Sequence, residues 1–279
     1  METRFIAEVG SNHNGELDRA LNLISVAKDI GCWGVKFQLY TANQLYEYSH
    51  PNYRQAEERQ LKPHWLPVMK QYAIAKHINI GYSFFDPTWM SMYHQYSDFL
   101  KIASHEAGLV ELYRTALVIK KPLFVSIGLM DETELFEMLA EIQEDEIDLT
   151  IMHCVSKYPA AVKECNLAVI EDFCQRYPDC FKMGWSDHTK NRNVIYGAVA
   201  AGAEYIEAHF DLDDNKGAES VHGHCWSASF LESAITGIRV QEEAWGTPNF
   251  DIIRKQQTER YLKADPGTGL RGRKVINEG

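Results

Sequence analysis

Eight short strand-like runs recur along the chain, at Phe5–Val9, Trp33–Phe37, Asn79–Phe84, Phe99–Ala103, Leu123–Ser126, Leu149–His153, Phe181–Trp185 and Tyr205–His209. Helix-like segments lie between them, such as Leu17–Ile30, His64–His77, Thr133–Ile142 and Leu167–Arg176, and a last helix is expected over about Ser227–Glu243. A strand followed by a helix and another strand pairs in parallel, because the crossover returns the chain to the same edge. Eight such units in about 250 residues is the arithmetic of an α/β fold of the (β/α)8 TIM-barrel class. A doubly wound open sheet is the alternative, but eight regular units without a Gly-rich nucleotide turn favour closure. Residues 1–250 are read as the barrel and 251–279 as a tail with seven basic and four acidic residues.

A barrel sets a condition on chemistry. Side chains at the C-terminal ends of the strands share one site, because the loops there build it. Those ends are polar throughout. They offer Glu8 with Ser11, Asn12 and His13; Lys36 and Gln38; Ser83 and Asp86; Lys101, Ser104, His105 and Glu106; Ser126; and His153, Ser156, Lys157 and Tyr158. The beginnings of the same runs show no such pattern.

Lys36 lies in Gly-Val-Lys-Phe-Gln and Lys101 in Phe-Leu-Lys-Ile-Ala. A lysine inside an apolar strand is costly to bury unless it meets an anion, although a single one can snorkel to solvent. Two of them, with Ser83, Ser104, Ser126 and Ser186 at neighbouring strand ends, read as a phosphate or carboxylate site, with ammonium charge and hydroxyl donors.

The stretch from Gly184 to Phe210 adds a second chemistry. His188 follows one strand, His209 ends the next, and an uncharged Ala-rich helix joins them, so the two imidazoles reach one edge together with Asp187 and Glu207. A divalent metal fits such a group. A strand-end histidine is also a common hydrogen-bonded polar residue, and this stretch alone leaves the two readings open. His222-Gly223-His224-Cys225 carries zinc-type ligand residues, but a loop covering the substrate accounts for it equally well, so it is left off the metal ligands.

Composition narrows the partners. The 279 residues are 45% hydrophobic and 24% charged, with net charge −11, which argues against nucleic acid and anionic membrane as main partners. No apolar run approaches the about 18 residues of a membrane span, and the first strand begins too early for a signal peptide. Six cysteines without a CxxC pair point to reduced thiols in a cytoplasmic protein. Residues 131–148 hold nine acids and no base, as a solvated helix face does.

The ordered set of motifs resembles the sialic acid (N-acetylneuraminate) synthase family of bacteria. The matching runs are Ile6-Ala7-Glu8-Val9-Gly10 with Asn12-His13-Asn14-Gly15, Val35-Lys36-Phe37-Gln38, Lys101-Ile102-Ala103-Ser104, His153-Cys154 with Tyr158-Pro159, Ser186-Asp187-His188-Thr189, and Glu207-Ala208-His209-Phe210. The resemblance implies a barrel enzyme that condenses phosphoenolpyruvate with an N-acetylated hexosamine such as N-acetylmannosamine. It implies His188 and His209 as ligands of a divalent metal, typically Mn2+, with Mg2+ or Co2+ as alternatives. It implies Lys36, Ser83, Lys101, Ser104, Ser126, Ser156 and Ser186 at phosphoenolpyruvate, and Glu8, Gln38, Tyr158 and Glu219 on the substrate side. Glu106 falls on a family acid beside the reacting carbons. A homodimer is implied as well.

The chain departs from the family's pattern on the substrate side. Ser83-Phe84-Phe85 stands where Thr-Pro-Phe is frequent, His105 where a small residue precedes the acid, and Glu219 where an aspartate is common. Many members also carry a C-terminal antifreeze-like domain whose arginine reaches the sugar's N-acetyl group; here the sequence given stops at Gly279, and Arg271 or Arg273 is the candidate substitute. Two alternatives remain: a synthase of the 3-deoxy-octulosonate 8-phosphate type, which needs a second phosphate site, and a non-catalytic sugar-binding barrel.

Overall fold

The computed structural model describes residues 2–142, 147–178, 180–247, 249, 251 and 260–271. They form two compact units, residues 1–240 and 241–279. In the first, eight parallel strands close on themselves: β1 (Arg4–Gly10), β2 (Gly34–Leu39), β3 (Asn79–Phe84), β4 (Phe99–Ile102), β5 (Leu123–Ser126), β6 (Leu149–Cys154), β7 (Lys182–Asp187) and β8 (Tyr205–Asp211). Each pairs with the next, and β1 pairs with β8 to complete the (β/α)8 barrel. A two-residue strand, β9 (Trp226–Ser227), extends β8 at the rim, with Phe210 opposite Trp226.

The helices are α1 (Leu17–Asp29), α2 (Ala42–Leu45), α3 (Tyr53–Arg59), α4 (Leu66–Lys76), α5 (Pro87–Tyr93), α6 (Val110–Ile119), α7 (Glu132–Glu141), α8 (Ala168–Arg176), α9 (Arg192–Ala200) and α10 (Ala228–Trp245). The short α2, α3 and β9 were not expected from the sequence. Each is too brief to show a period, and tertiary contacts define it. Several strands run one or two residues further than the apolar runs. Polar ends such as Asp187 and Asp211 are fully buried, which hydropathy alone does not anticipate. Asp86, a strand-end acid by sequence, caps α5 by accepting from the Trp89 amide at 2.9 Å. Asp131 and Glu134 form a capping box on α7, which uses part of the acidic run; its residues 143–146 lie outside the described ones.

The alternation of side chains along each strand sorts the residues into two populations. Outward positions such as Phe5, Ala7, Val35, Phe37, Ile80 and Ile151 join the large core beneath the helices. Inward positions near the strand starts, Ile6, Phe99, Phe124, Met152 and Tyr205, form a separate apolar plug with Trp33. Phe99 lies 5.2 Å from both Trp33 and Phe124, ring centre to ring centre. Gly81 makes room for it: a Cβ there would stand 2.2 Å from the Phe99 ring. Two residues further along the same strands, the inward side chains are Glu8, Lys101, Ser126, Cys154 and Glu207. The barrel is thus sealed below by aromatics and lined with charge above.

The second unit holds a 3-10 turn at Arg260–Leu262 and an isolated bridge between Ala264 and Arg271. Arg271 is exposed, and Arg273 lies outside the described residues.

Candidate active site

The charged layer is a compact ion network. Lys36 Nζ stands 2.5 Å from Glu8 Oε2, donates to Ser83 Oγ at 2.8 Å, and lies 3.7 Å from Glu207 Oε2. Lys101 Nζ donates to Glu207 Oε1 at 2.8 Å, and the same oxygen accepts from Ser186 Oγ at 2.9 Å. Gln38 Nε2 donates to Glu8 Oε1 at 3.0 Å. Strand register explains the convergence, since Glu8 is level with Lys36 and His209, Ser83 with Lys101, and Ser186 with Glu207. All four charged side chains are buried. Burial works against the charge on Lys36, but Glu207 and Glu8 outweigh it and raise its pKa. Burial likewise opposes ionisation of Glu207, yet Lys101 and Lys36 hold it well below the usual carboxylate range. The anion that makes the two buried lysines affordable is therefore the protein's own carboxylate pair. Glu207 is the residue the sequence reading left out of the substrate site. Its signal was present in the period of two that places it on the same inward face as His209.

Glu106 follows β4. Burial pushes its carboxyl up to about 7, against the pull of its own backbone amide, Lys101 and Lys36. One of its oxygens, Oε2, is buried without a hydrogen-bond partner. Ser104 Oγ accepts from the Gly128 amide at 3.2 Å and lies 3.2 Å from Cys154 Sγ, while the buried Ser156 hydroxyl oxygen has no partner. Ser126 is buried at the end of β5, level with Met152. A carboxyl with one buried oxygen unpartnered and its pKa pushed up towards neutrality is equipped to move a proton.

Above this layer the imidazoles gather around Tyr158, whose ring centre lies 4.2 Å from His188, 5.6 Å from His209 and 5.0 Å from His224. His188 Nδ1 donates to the Val155 carbonyl at 2.6 Å, and His209 Nδ1 to Glu219 Oε2 at 2.8 Å. Each bond fixes a tautomer that leaves Nε2 with the lone pair. The two ring centres are 5.4 Å apart. Burial and the neighbouring His209 hold His188 down to about 3, whereas Glu219 overcomes burial and raises His209. Two neighbouring buried imidazoles, each oriented by an acceptor behind it, suit a divalent ion.

A model of the NeuB family matches residues 23–249. The chain belongs to the NeuB family. Among its relatives, a pseudaminic acid synthase of Campylobacter jejuni is 30% identical over 275 residues, covering 92% of this chain and 79% of the relative. The spore coat polysaccharide biosynthesis protein SpsE of Bacillus subtilis is 29% identical over 252 residues, covering 85% and 67%. In fold, the chain superposes on an N-acetylneuraminic acid synthetase of Leptospira borgpetersenii with TM-score 0.84, at 24% identity and over 93% of each chain.

Within this NeuB-family barrel, Glu219 arrives from the loop after β8. Its Oε1 accepts the Ser11 amide at 2.6 Å, and its own amide donates to Asn12 Oδ1 at 2.8 Å. Gly10 permits the approach: its φ is +53°, and a Cβ there would lie 2.3 Å from Glu219 Oε1. Burial opposes the charge on Glu219, but the hydrogen bond from His209 and the nearby His224 imidazole hold it far below the usual range. Asp187, adjacent to His188 in sequence, has both oxygens already engaged by the protein. Its oxygens accept from the Trp185 and Trp226 indoles at 3.1 and 3.0 Å, from Thr189 Oγ1 at 2.7 Å and from the Lys190 amide at 2.9 Å. The sequence brought it to the right edge but not to the right face. His105 is exposed, whereas His13 is buried, pushed down to about 4 by burial, and accepts the Gly15 amide within its turn. Among the described residues, no helix is long and apolar enough to cross a membrane.

Proposed function

We propose that this chain joins phosphoenolpyruvate to an N-acetylated hexosamine of the N-acetylmannosamine type, giving a sialic-type nine-carbon keto acid and phosphate. The observation that carries the reading is the buried Lys36–Glu8 and Lys101–Glu207 network at the strand ends, directly below two oriented imidazoles. Ammonium groups already out of water attract phosphate and carboxylate oxygens most strongly, because little solvent screens them. Lys36 and Lys101 hold the anionic ends of phosphoenolpyruvate, with Ser83, Ser104, Ser126, Ser156 and Ser186 donating to its oxygens. Glu8, Gln38, Tyr158 and Glu219 orient the sugar so that its aldehyde carbon meets the enol carbon.

His188 and His209 would hold a divalent ion, with manganese as the first choice and magnesium or cobalt as alternatives. Bound there, it supplies Lewis acidity to the aldehyde oxygen. The chain's own groups handle the remaining steps. As the carbon–carbon bond forms, C2 of the former enol becomes electron-poor while Lys36 and Lys101 keep its phosphate and carboxylate in place. Glu106, in its ionised form, takes a proton from the water that adds to C2. The alkoxide left on the former aldehyde carbon takes up the proton that Glu106 received, and the tetrahedral product loses phosphate by C–O cleavage as its hydroxyl passes its proton to the leaving phosphate and becomes the ketone. A phosphorylated substrate supports a cytoplasmic reaction, and the family resemblance supports a homodimer as the working enzyme.

Incubation of the protein with phosphoenolpyruvate, manganese and a panel of hexosamines, with phosphate release as readout, tests this. Release that depends on N-acetylmannosamine or a diacetamido relative is expected. Release with arabinose 5-phosphate alone reassigns the chain to the octulosonate type, and no release with any sugar overturns the reading.

A further inference from the structure

The loop after β8 carries a second set of ligand atoms, on the Nδ1 side of His209. His209, Glu219, His224 and Cys225 each offer one ligand atom, and these four atoms all lie within 4.8 Å of one another. His209 Nδ1 and Glu219 Oε2 are 2.8 Å apart, Glu219 Oε2 and His224 Nε2 3.9 Å, and His224 Nε2 and Cys225 Sγ 3.8 Å. Four ligands about 2.1 Å from a tetrahedral ion stand about 3.4 Å from each other, so these separations need only small rotations to close on a metal.

Three further observations point the same way. His224 is 3% exposed, yet its Nδ1 has no hydrogen-bond partner and its Nε2 has only a long contact to the Cys225 sulfur at 3.8 Å, with the Glu219 carboxylate 3.9 Å away. A buried imidazole with one nitrogen unpartnered and the other held only by long contacts to a thiol and a carboxylate is rare and wants a ligand. Asn12 Nδ2 approaches Cys225 Sγ at 3.5 Å, an amide donor placed as it would be beside a metal-bound thiolate. The β8–β9 pairing holds Trp226 against Phe210, so Cys225 and His224 sit on a fixed rim rather than a free loop.

We propose that His209, Glu219, His224 and Cys225 form a metal site of the zinc class, separate from the His188–His209 pair. A thiolate, two imidazoles and a carboxylate in tetrahedral reach select a borderline-soft ion over manganese or magnesium. Binding replaces the Cys225 thiol proton, which leaves to solvent, and engages Nδ1 of His209, so that the ring's remaining proton sits on Nε2. A neutral imidazole ligates through one nitrogen at a time. Ions at the two places therefore exclude each other, and zinc at this one withdraws His209 from His188.

The site itself does not rest on the proposed condensation, and its test uses metal alone. The whole chain is stripped with a chelator, titrated with Zn2+ and, in parallel, with Co2+, and read by metal analysis and absorption spectroscopy without any substrate. One tightly bound zinc per chain is expected, along with a cobalt derivative that shows a thiolate-to-cobalt charge-transfer band. That band disappears in Cys225→Ser. His224→Ala weakens zinc by at least about 10–100-fold, whereas His188→Ala leaves both readouts in place. A cobalt derivative without the thiolate band, a band that survives Cys225→Ser, or zinc lost with His188→Ala but kept with His224→Ala overturns the proposal. His224→Ala keeps the test decisive should the serine variant not fold.

Discussion

Replacing Glu207 with Gln preserves shape and removes one charge. Glu207 Oε1 is the acceptor for Lys101 Nζ at 2.8 Å, and Lys101 has no other carboxylate within 4 Å among the described residues. Lys36, by contrast, keeps Glu8 at 2.5 Å. Glu207→Gln therefore strands one buried ammonium. Breaking a buried pair from one side costs about 3–5 kcal/mol; the glutamine oxygen still accepts a hydrogen bond, which places the expected loss near about 3 kcal/mol. For a barrel of this size that corresponds to a fall of about 6–12 °C in melting temperature. Urea denaturation at neutral pH measures the loss. The sign of the pH dependence is fixed by the depressed pKa of Glu207 in the folded state. Its contribution is present above the unfolded carboxylate range and fades as pH falls through that range towards the folded value, so acid should weaken the wild type more than the variant. Saturating phosphoenolpyruvate should restore more stability to the variant than it adds to the wild type, because the substrate's anion takes the missing partner's place. A loss below about 1 kcal/mol, or equal ligand stabilisation of both proteins, refutes the claim that Glu207 balances Lys101.

Glu106→Gln should lower turnover by about 10²–10⁴-fold and remove the limb near pH 7 from the rate profile, with substrate affinity kept. The raised pKa of Glu106 also predicts that stability is full below the unfolded carboxylate range and declines as pH rises through about 7, a slope the glutamine variant should lack in denaturation experiments. Gly10→Ala should destabilise by about 1–3 kcal/mol and expel Glu219, because φ is +53° and the new methyl overlaps its carboxylate; isothermal titration should then show weaker sugar binding. Lys101→Met should abolish phosphoenolpyruvate binding by the same calorimetry while leaving metal content unchanged, since its ammonium contacts Glu207 and not the imidazoles.

Much of this site was readable in one dimension because a barrel strand obeys simple rules. A polar residue near the end of an apolar run points to the common mouth, so Lys36, Lys101, Ser186, His188 and His209 could be collected without coordinates. The same period of two placed Glu207 beside His209 but did not reveal its partners. Only register, with β8 between β7 and β1, sets its oxygens against Lys101, Lys36 and Ser186. Asp187 shows the limit from the other side. Its neighbour His188 made it look like an ion-site acid, while two indoles from β7 and β9 claim its oxygens.

The sequence by itself determined the eight-fold alternation, the closed barrel and the end at which polar and charged side chains gather, because hydropathy period and strand polarity are local properties. The tertiary structure alone decided which carboxylate neutralises which lysine, and that Glu219, His224 and Cys225 fold back onto His209 from beyond the last barrel strand. Those contacts join residues distant in the chain through loops, where no repeating pattern encodes direction. Their identity follows from packing and from the need to satisfy each buried charge.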